Sequence, residues 1–459
     1  MGQRANGGPA GDGRLSLEQL SLAVEQGSID TVLLAITDMQ GRLQGKRLHA
    51  RHFLDDTVAN ASEGCNYLLA VDVDMNTVGG YEMASWSKGY GDFVFKPDFD
   101  TLRLVPWQPG TAMVTCDVEW HDGEPVVASP RQILKRQLDR LAERGLVAQC
   151  GTELEFMIFR DTYESAFSKG YRGLEPANQY NVDYSLLGTA RVEPLLRRIR
   201  NDMQAAGLRC ESAKGECNFG QHEIAFRYDE ALRTADNHSI YKNGAKEIAA
   251  QEGCSLTFMS KFDAREGNSC HIHLSVRGAD DEPVMADGHG FSTLFDQWLA
   301  GQLACLRELT LFLAPNINSY KRFAAGTFAP TSVAWGRDNR TCALRVVGHG
   351  QSLRIENRVP GGDVNPYLAI AAIIAAGLHG LDQELVPEEE FVGNAYVSDK
   401  PKVPATLREA HELWVGSAVA RAAFGDDVVD HYANMARVEM TAYDAAVTDW
   451  ERIRGFERL

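Results

Sequence analysis

Residues 316–366 combine several arginines with one central carboxylate at spacings suited to a strand. Arg354, Glu356 and Arg358 stand two residues apart, so on a strand their side chains project from the same face. The other cations of this stretch are Lys321, Arg322, Arg340 and Arg345. Because one glutamate cannot neutralise so many cations, the stretch predicts an anionic partner, such as a polyphosphate with a second acid. A solvated basic face is the alternative, although apolar neighbours make unpaired arginines costly.

Two pairs of glutamates lie upstream in strand-like settings. Glu153 and Glu155 stand two residues apart in an apolar run, where two carboxylates on one strand face are costly unless a cation lies between them. Glu216 and Glu223 flank a turn signal at residues 218–220, so a hairpin would let both side chains face each other. Both pairs therefore suit hard, oxygen-ligated cations.

His271 and His273 repeat the two-residue spacing. They fit either two metal ligands or one ligand beside one phosphate contact. Alone, each of these motifs is more typical of an exposed or structural pair. Together with the arginines they predict two divalent cations, and the oxygen-rich ligands favour Mg²⁺ or Mn²⁺. Metals and arginines along a polar strand face are typical of phosphoryl transfer, and the sequence has no P-loop motif for the nucleotide.

The composition narrows the class of protein. A chain of 459 residues, 44% of them hydrophobic, allows two or three domains with sizeable cores. The formal net charge of −17 argues against a nucleic-acid partner. Nine scattered cysteines without a C-x-x-C pair predict a reduced, cytoplasmic protein. The longest apolar run, residues 368–378, is too short to cross a bilayer, so we expect neither a membrane protein nor a secreted one.

The elements that must position these side chains follow from the hydrophobic pattern. Residues 1–14 predict a disordered tail, and residues 15–122 a small β-rich domain that includes a hairpin turning at 38–41. Residues 123–459 alternate helices with strands, as in an α/β or α+β domain. The strands predicted there are 146–159, 216–228, 255–262, 270–276 and 342–359. The predicted helices are 130–144, 191–206, 231–252, 291–313, 366–380 and 405–422.

The order of the motifs resembles one known family. GTELEF, KGECNFGQHEI, GNSCHIHLS, NSYKR, WGRDNRTCALR and SLRIENRVPGGDVNPYLA follow one another as in the glutamine synthetase family, and the resemblance runs from about residue 29 to the C-terminus. It implies an α+β protein with an N-terminal β-grasp domain at 15–122 and a catalytic α/β domain at 123–459. It also implies a homo-oligomer of stacked rings, usually a dodecamer in bacteria, with active sites between adjacent subunits.

The same resemblance implies roles for individual residues. The first metal would be bound by Glu155, Glu216 and Glu223. The second metal, beside the phosphates of ATP, would be bound by Glu153, His271 and Glu356. Residues on the nucleotide side would be His273, Arg345 and Arg354. Arginines that stabilise the transferring phosphoryl group would be Arg340, Arg345 and Arg358. Residues that hold the substrates would be Arg322, Arg358, Gly267, Tyr180 and Phe328.

The sequence departs from the family on the side of the nitrogen donor. Ammonia-using members carry a glutamate six residues after the arginine of the SYKR motif, and here that position is Phe328. A phenyl ring cannot take a proton from ammonium, but it suits the alkyl part or the charge of an organic amine. The N-terminal aspartate of the family has only Asp72 or Asp74 as counterparts, in a different context, and Glu266 alters the segment before Gly267.

The implied function is therefore an ATP-dependent γ-glutamyl-amine ligase. The γ-carboxylate of glutamate attacks the γ-phosphate of ATP, and a primary amine, ethanolamine or a polyamine, then displaces phosphate from γ-glutamyl phosphate. Two alternatives stay open. The protein is an ammonium-using glutamine synthetase if Phe328 only packs its loop, or a non-catalytic structural member, which the intact metal and arginine motifs disfavour. Tyr184 and Glu266 are further candidates for the amine pocket, and Tyr396 is predicted to be an ordinary surface tyrosine.

Overall fold

The N-terminal part of the chain builds a sheet around a buried apolar strand. The computed structural model describes residues 13–288 and 290–459, so the predicted tail at 1–14 lies outside the described residues except for its last two. The strands are β1 (Thr31–Thr37), β2 (Leu43–His49), β3 (Ser62–Cys65), β4 (Asp92–Pro97), β5 (Arg103–Leu104) and β6 (Thr111–Glu119). Their order is β2-β1-β6-β4-β3, with β5 beside β6. The pairing of β1 with β2 is antiparallel, which confirms the hairpin predicted at 38–41.

The second sheet carries most of the predicted site. Its strands are β7 (Leu146–Phe159), β8 (Cys210–Gly215), β9 (Gln221–Phe226), β10 (Asp229–Glu230), β11 (Ser255–Thr257), β12 (Cys270–Gly278), β15 (Trp335–Arg337), β16 (Leu344–Val347) and β17 (Arg354–Asn357). The order is β15-β16-β17-β12-β7-β9-β8, and β10 and β11 also pair with β7. A separate hairpin joins β13 (Ala286–Asp287) to β14 (Gly290–Phe291). The long strand β7 therefore lies at the centre, between β12 and β9.

Three of the predicted strands were wrong in their extent. The stretch predicted as one strand at 342–359 is two strands, β16 and β17, because Gly348 at φ +78° and a 3-10 turn at Gly350–Ser352 reverse the chain between them. The stretch predicted at 216–228 contains the turn of a hairpin, with β9 as its return strand. The predicted strand at 255–262 extends only from Ser255 to Thr257.

The helices pack on these sheets. They are α1 (Leu17–Glu25), α2 (Ala50–His52), α3 (Val58–Asn60), α4 (Pro130–Ala142), α5 (Tyr163–Ser168), α6 (Leu186–Ala190), α7 (Glu193–Ala205), α8 (Ala231–Gln251), α9 (Thr293–Cys305), α10 (Thr310–Leu313), α11 (Pro366–Asp382), α12 (Leu407–Gly416), α13 (Ala418–Phe424), α14 (Asp426–Ala445) and α15 (Asp449–Gly455). The helices predicted at 291–313 and 405–422 are each divided in two, and α14 and α15 were not predicted. Among the described residues, no helix is long and apolar enough to cross a membrane.

Helix α11 lies in the core of the part of the chain that carries the second sheet. It begins at the N-cap Asn365, whose side chain accepts from the amide of Tyr367, with Pro366 in the first turn. It packs against α4, α8 and α9. It can cross α9 closely because Gly377 has no Cβ, and a Cβ there would overlap the ring of Trp298. The Nδ2 atom of Asn365 also donates to the carbonyl oxygens of Asp38 and Met39. The N-cap of α11 therefore fixes the β1–β2 turn against the part of the chain that carries the second sheet.

A buried charge network makes the second connection between the two sheets. Arg131 on α4 is 3% exposed and donates to Asp98 and Asp117 beside the first sheet and to Asp236 on α8. The hydroxyl of Tyr367 on α11 donates to the same Asp236 carboxylate at 2.6 Å. One guanidinium thus satisfies three acids from separate parts of the chain, and the relative position of the sheets depends on it.

Candidate active site

Three glutamates from three strand segments form a first carboxylate cluster, Glu155, Glu216 and Glu223. Glu155 on β7 lies directly opposite Glu223 on β9, and Glu216 follows β8 at the hairpin turn. Oxygen atoms from the three side chains lie within 4.8 Å of one another. The turn predicted at 218–220 therefore brings Glu216 and Glu223 together, as the sequence indicated.

The electrostatics of the first carboxylate cluster favour a bound cation. Burial, followed by the charge of Glu216, raises the pKa of Glu155 to about 8. Burial also raises the pKa of Glu223 well above its usual range, and Glu153 and Glu155 raise it further. Three carboxylates held this close in a dry setting repel one another unless a positive charge is present. The donor set is all oxygen, which fits a hard divalent ion.

Sequence reasoning missed a cation in this cluster. Lys214 on β8 stands opposite Glu223 in the hairpin, and its ammonium forms an ion pair with Glu216. Lys214 and Glu216 are two residues apart, the same strand spacing that marked the glutamate pairs. The signal was present in the sequence, but only the register of the hairpin shows that the lysine faces the acids.

A second cluster, Glu153, His271 and Glu356, lies on the other side of β7. Glu153 pairs with His271 across the β7–β12 register, and Glu356 on β17 lies next to β12. The Nδ1 atom of His271 is 3.4 Å from Glu153 and 3.5 Å from Glu356, while its Nε2 is buried and has no hydrogen-bond partner among the described residues. An imidazole nitrogen beside two carboxylates, with potential ligand atoms of all three side chains within 4.8 Å of one another, fits a metal site.

The second cluster differs from the first in its charge balance. Burial opposes ionisation of Glu153, but His271 and His273 together hold its pKa below the usual value. Burial and the nearby Arg358 lower the pKa of His271 to about 4. The histidine is therefore neutral at physiological pH, which is the form that binds metals.

Arginines surround the second cluster on the side away from the first. Glu356 accepts from Arg345 Nη1 at 3.0 Å and from Arg358 Nη1 at 2.5 Å. Arg354 donates to His273 Nδ1 at 3.1 Å. Arg358 lies one residue beyond the end of β17 rather than within the strand. Two of the predicted cations, Arg345 and Arg358, therefore converge on Glu356, whereas Arg354 contacts His273. Arg340 is exposed on the loop after β15.

Arg322 has a different environment from the other arginines. It is 1% exposed, and it donates to the carbonyl oxygens of Arg358 and Val359 at 2.8 Å each and to the hydroxyl of Ser269. Most of its donors are therefore used inside the protein, where they fix the chain that carries Arg358. Gly267 packs against this side chain, and a Cβ there would come within 2.1 Å of the Ser260 carbonyl oxygen.

A cavity of about 490 Å³ opens beside the second cluster. Glu153, His273 and Arg354 contribute to its wall from the predicted set. Lining residues that sequence reasoning did not select include Glu211, Phe226, Tyr228, Ser275, Arg277 and Gln351. A cavity with aromatic and arginine side chains next to acidic ligands has the size and chemistry for a nucleotide. Those residues are divided among three strands, β8, β9 and β12, and two connecting segments, so no local motif marked them.

The predicted amine side of the site is built from loops. Phe328 is 54% exposed and adopts φ +58°, a conformation that is costly for a bulky residue. Its carbonyl oxygen accepts from Arg358 Nη2 at 3.3 Å. The ring of Tyr184 lies 4.9 Å from the Lys214 ammonium. The ring of Tyr180, by contrast, faces Arg191, whose Cζ atom lies 5.7 Å from the ring centroid.

Two further residues from the sequence analysis have definite positions. Asp72 bonds to Asn76 within its own loop, and that loop contacts Arg42 through the carbonyl of Val73. Within a single chain, the loop that carries Asp72 therefore lies beside the first sheet. Tyr396 was predicted to be a surface residue, and this was wrong for its hydroxyl, because the oxygen is buried. Burial raises the pKa of this hydroxyl, and Arg358, Arg322 and the main chain of Phe328 act against the shift.

Comparison with known proteins agrees with this geometry. Residues 127–454 match the glutamine synthetase catalytic domain, and the chain belongs to the glutamine synthetase family. It is 67% identical over 445 residues to the gamma-glutamylethanolamide synthetase GlnA4 of Streptomyces coelicolor, which covers 97% of this chain and 96% of the relative. A glutamate–isopropylamine ligase of Pseudomonas sp is 37% identical over 439 residues, 94% of this chain and 96% of the relative.

Solved structures show the same architecture. A structure described as a GmaS/ADP complex superposes with a TM-score of 0.84 at 27% identity, and covers 95% of this chain and 99% of the other. A glutamate–methylamine ligase of Methyloversatilis universalis is 31% identical over 452 residues, 93% of this chain and 96% of the relative. The chain therefore resembles glutamate–amine ligases over at least 93% of its length.

Proposed function

We propose that this protein is an ATP-dependent γ-glutamyl-amine ligase that joins the γ-carboxylate of glutamate to ethanolamine. The 67% identity to a γ-glutamylethanolamide synthetase over nearly the whole chain carries this proposal. Phe328 supports it, because this position has no carboxylate to take a proton from ammonium. An aromatic ring on a strained loop beside Arg358 gives an amine with an alkyl chain an apolar contact.

The two clusters are the proposed sites of two divalent cations, Mg²⁺ or Mn²⁺. Glu155, Glu216 and Glu223 would hold one ion, and Glu153, His271 and Glu356 the other. Bound divalent ions neutralise phosphate oxygens and so lower the barrier for an anion to attack an anion. The close ligand atoms within each cluster support this assignment, and in the second cluster Nδ1 of His271 lies beside both carboxylates.

The chain's own residues would bind and orient the substrates. ATP would occupy the 490 Å³ cavity, with Tyr228 and Phe226 beside the base and His273 and Arg354 beside the phosphates. Arg340, Arg345 and Arg358 supply guanidinium donors to the phosphoryl group as it moves to glutamate. Arg322 holds the chain around Arg358 in place, and Gly267, Tyr180 and Phe328 are the proposed neighbours of glutamate and the amine.

The reaction then has two displacements. The γ-carboxylate oxygen of glutamate attacks the γ-phosphorus of ATP, and ADP leaves with the electron pair of the broken P–O bond. The neutral amine attacks the resulting acyl phosphate carbon, loses one proton, and expels inorganic phosphate. The exclusion of water by the loop around Phe328 would protect the acyl phosphate from hydrolysis.

The remaining proposals concern the assembly and the location. The division into domains at 15–122 and 123–459, with a β-grasp domain first, agrees with two separate sheets joined through Arg131 and Asn365. A homo-oligomer, with the dodecamer as its expected form, is supported by exposed apolar side chains on α6 and α15. A cytoplasmic location is supported by nine free cysteines.

The test is phosphate release from ATP with Mg²⁺ and glutamate, using ethanolamine, putrescine, spermidine and ammonium as acceptors, with γ-glutamylethanolamide identified by mass. We expect turnover with ethanolamine and at least tenfold lower kcat/KM with ammonium. Preference for a polyamine would replace the proposed acceptor but keep the reaction. Preference for ammonium would make the protein a glutamine synthetase, and inactivity with all four would favour a non-catalytic member.

A further inference from the structure

Lys214 lies where the first carboxylate cluster would hold its cation. It belongs to β8, faces Glu223 across the hairpin, and forms an ion pair with Glu216. The Tyr184 ring approaches the ammonium from another direction, with its centroid 4.9 Å away. The side chain is only 25% exposed. Its position is therefore fixed by a ligand carboxylate, a cross-strand neighbour and an aromatic face.

The lysine changes the charge that a metal meets at this cluster. Glu155, Glu216 and Glu223 carry three negative charges when ionised, and Lys214 reduces their sum by one. One divalent ion then balances the cluster, whereas without the lysine one negative charge would remain. Because electrostatic interactions are strong at close range in partly buried sites, the ammonium weakens the attraction for the metal. It also occupies one of the two oxygens of Glu216.

We propose that Lys214 is the resident counter-cation of the first carboxylate cluster, which holds Glu216 in position and competes with the divalent metal for it. Lys214 is a positioning residue and does not touch the reacting atoms. The inference rests on the proposed metal site and extends it: the lysine keeps the metal-free cluster folded and makes metal binding weaker and more easily reversed. A divalent ion that enters must displace the ammonium from Glu216.

A simple exposed ion pair predicts something different. Exposed lysine–carboxylate pairs contribute little to the free energy of folding, and their loss has no effect on the binding of a distant ligand. If Lys214 were such a pair, its replacement would leave metal affinity unchanged. If it is a competing cation, its replacement must tighten metal binding. The two interpretations therefore differ in the sign of one measured constant.

The experiment is a Mn²⁺ titration of the full-length protein without ATP or glutamate, in which the electron paramagnetic resonance signal of free Mn²⁺ reports the bound fraction. In Lys214→Met, which keeps the length and apolar stem of the side chain, we expect one Mn²⁺ to bind about tenfold more tightly or better. Lys214→Arg keeps the charge and should bind Mn²⁺ as the unaltered protein does. Lys96→Met, which removes the partner of Glu119 on the first sheet, is the matched control and should show no change.

A second readout separates this role from general damage to the fold. In EDTA, Lys214→Met should have a lower Tm than the unaltered protein, because its cluster lacks a positive charge. Adding Mn²⁺ should remove this difference in Tm. In a protein that already carries Glu216→Gln, Lys214→Met should tighten Mn²⁺ binding less than it does in the unaltered protein. The reason is that the carboxylate for which the ammonium and the metal compete is already absent.

Two results would overturn the inference in different ways. Unchanged or weaker Mn²⁺ binding by Lys214→Met, with two ions bound to the unaltered protein, would refute the role of the lysine and leave the metal sites standing. Absence of Mn²⁺ binding to the unaltered protein would refute the proposed metal sites themselves.

Discussion

At the scale of single residues, Glu356 shows how one carboxylate can serve several cations. It is fully buried, accepts from Arg345 and Arg358, and lies 3.5 Å from a nitrogen of His271. Burial alone would raise its pKa, but His271 and Arg358 reverse the effect and lower it. The carboxylate stays ionised in a dry site because positively charged neighbours stabilise its negative charge in place of water.

Phe328 is the residue that should set the preference for the amine. Replacing it by alanine removes an aromatic contact of about 0.5–2 kcal/mol with a cationic or alkyl amine. We expect the KM for ethanolamine to rise about 2- to 30-fold, while the KM for ATP stays unchanged because the cavity beside the second cluster is unaltered. Steady-state kinetics with each substrate varied in turn would measure both constants.

The matched control for this prediction is Phe167→Ala. Phe167 is also an exposed phenylalanine, on α5, and its loss should affect neither constant. An equal KM for ethanolamine in Phe328→Ala and the unaltered protein would contradict the role of the ring. It would leave Phe328 as a residue that only packs its loop.

His431 should contribute to the loss of stability in acid. It is buried between the rings of Tyr81 and Tyr432, and burial lowers its pKa to about 4. Between pH 6.5 and 4 the unfolded chain therefore binds a proton on this histidine that the folded chain does not bind. The contribution is fully present above pH 6.5 and falls by up to about 1.4 kcal/mol for each pH unit below it.

The measurement is the free energy of unfolding in denaturant between pH 4 and 7. We expect His431→Phe to show a shallower loss than the unaltered protein by about that amount, since it removes the titrating group but keeps an aromatic ring. His121→Gln, whose side chain is more than half exposed, should keep the original slope. A slope unchanged in His431→Phe would show that other groups cause the acid sensitivity.

At the scale of elements, the sites depend on strand register. Glu153 and Glu155 share one face of β7, and the sequence suggested a cation between them. Instead Glu153 lies opposite His271 on β12 and Glu155 opposite Glu223 on β9. The central strand therefore divides one acid pair between two clusters. Spacing alone predicts which side chains share a face, but the neighbouring strands decide which partners they meet.

Much of this arrangement could be predicted from local patterns, and the exceptions have physical causes. The hairpin turns at 38–41 and 218–220 are marked by Gly and Asn. The two-residue spacing placed the glutamates and histidines on strands correctly. The break at 348–353 was missed because its apolar flanks, Val346 and Leu353, suggested a continuous strand. Lys214 and the wall of the 490 Å³ cavity are brought to the site only by tertiary pairing.

Arg131 should be the most costly element-level contact to break. Its replacement by methionine leaves Asp98, Asp117 and Asp236 without their shared cation between α4, α8 and the first sheet. Removing one partner from a buried charge network typically destabilises a protein by about 3–5 kcal/mol. Denaturant unfolding followed by circular dichroism would measure the loss.

Arg421→Met provides the comparison for this prediction. Arg421 also pairs with two acids, Asp426 and Asp430, but at the surface, so its loss should cost much less than the loss of Arg131. Similar losses in both variants would mean that burial does not strengthen the Arg131 network. The stability of the connection between the sheets would then come from apolar packing and Asn365.

At the scale of the whole molecule, an exposed apolar surface points to association between copies. The C-terminal segment exposes Trp450, Ile453, Phe456 and Leu459, each at least 66% accessible. Their spacing of three places them along one side of α15 and the turn that follows it. An apolar stripe of this kind is unfavourable in water unless another surface covers it. A second copy of the chain fits the proposed homo-oligomer.

Replacing Trp450 and Phe456 together by serine should therefore weaken the assembly. We expect size-exclusion chromatography with light scattering to show a smaller mean mass at micromolar concentration, because the covered apolar area is lost. Glu457→Ser in the same segment is the control and should keep the mass of the unaltered protein. If the active sites lie between subunits, the specific activity of the double variant should fall with its mass and recover as protein concentration rises. A smaller particle with full activity at every concentration would instead place each complete site within one chain, and a particle of unchanged mass would assign α15 to another role.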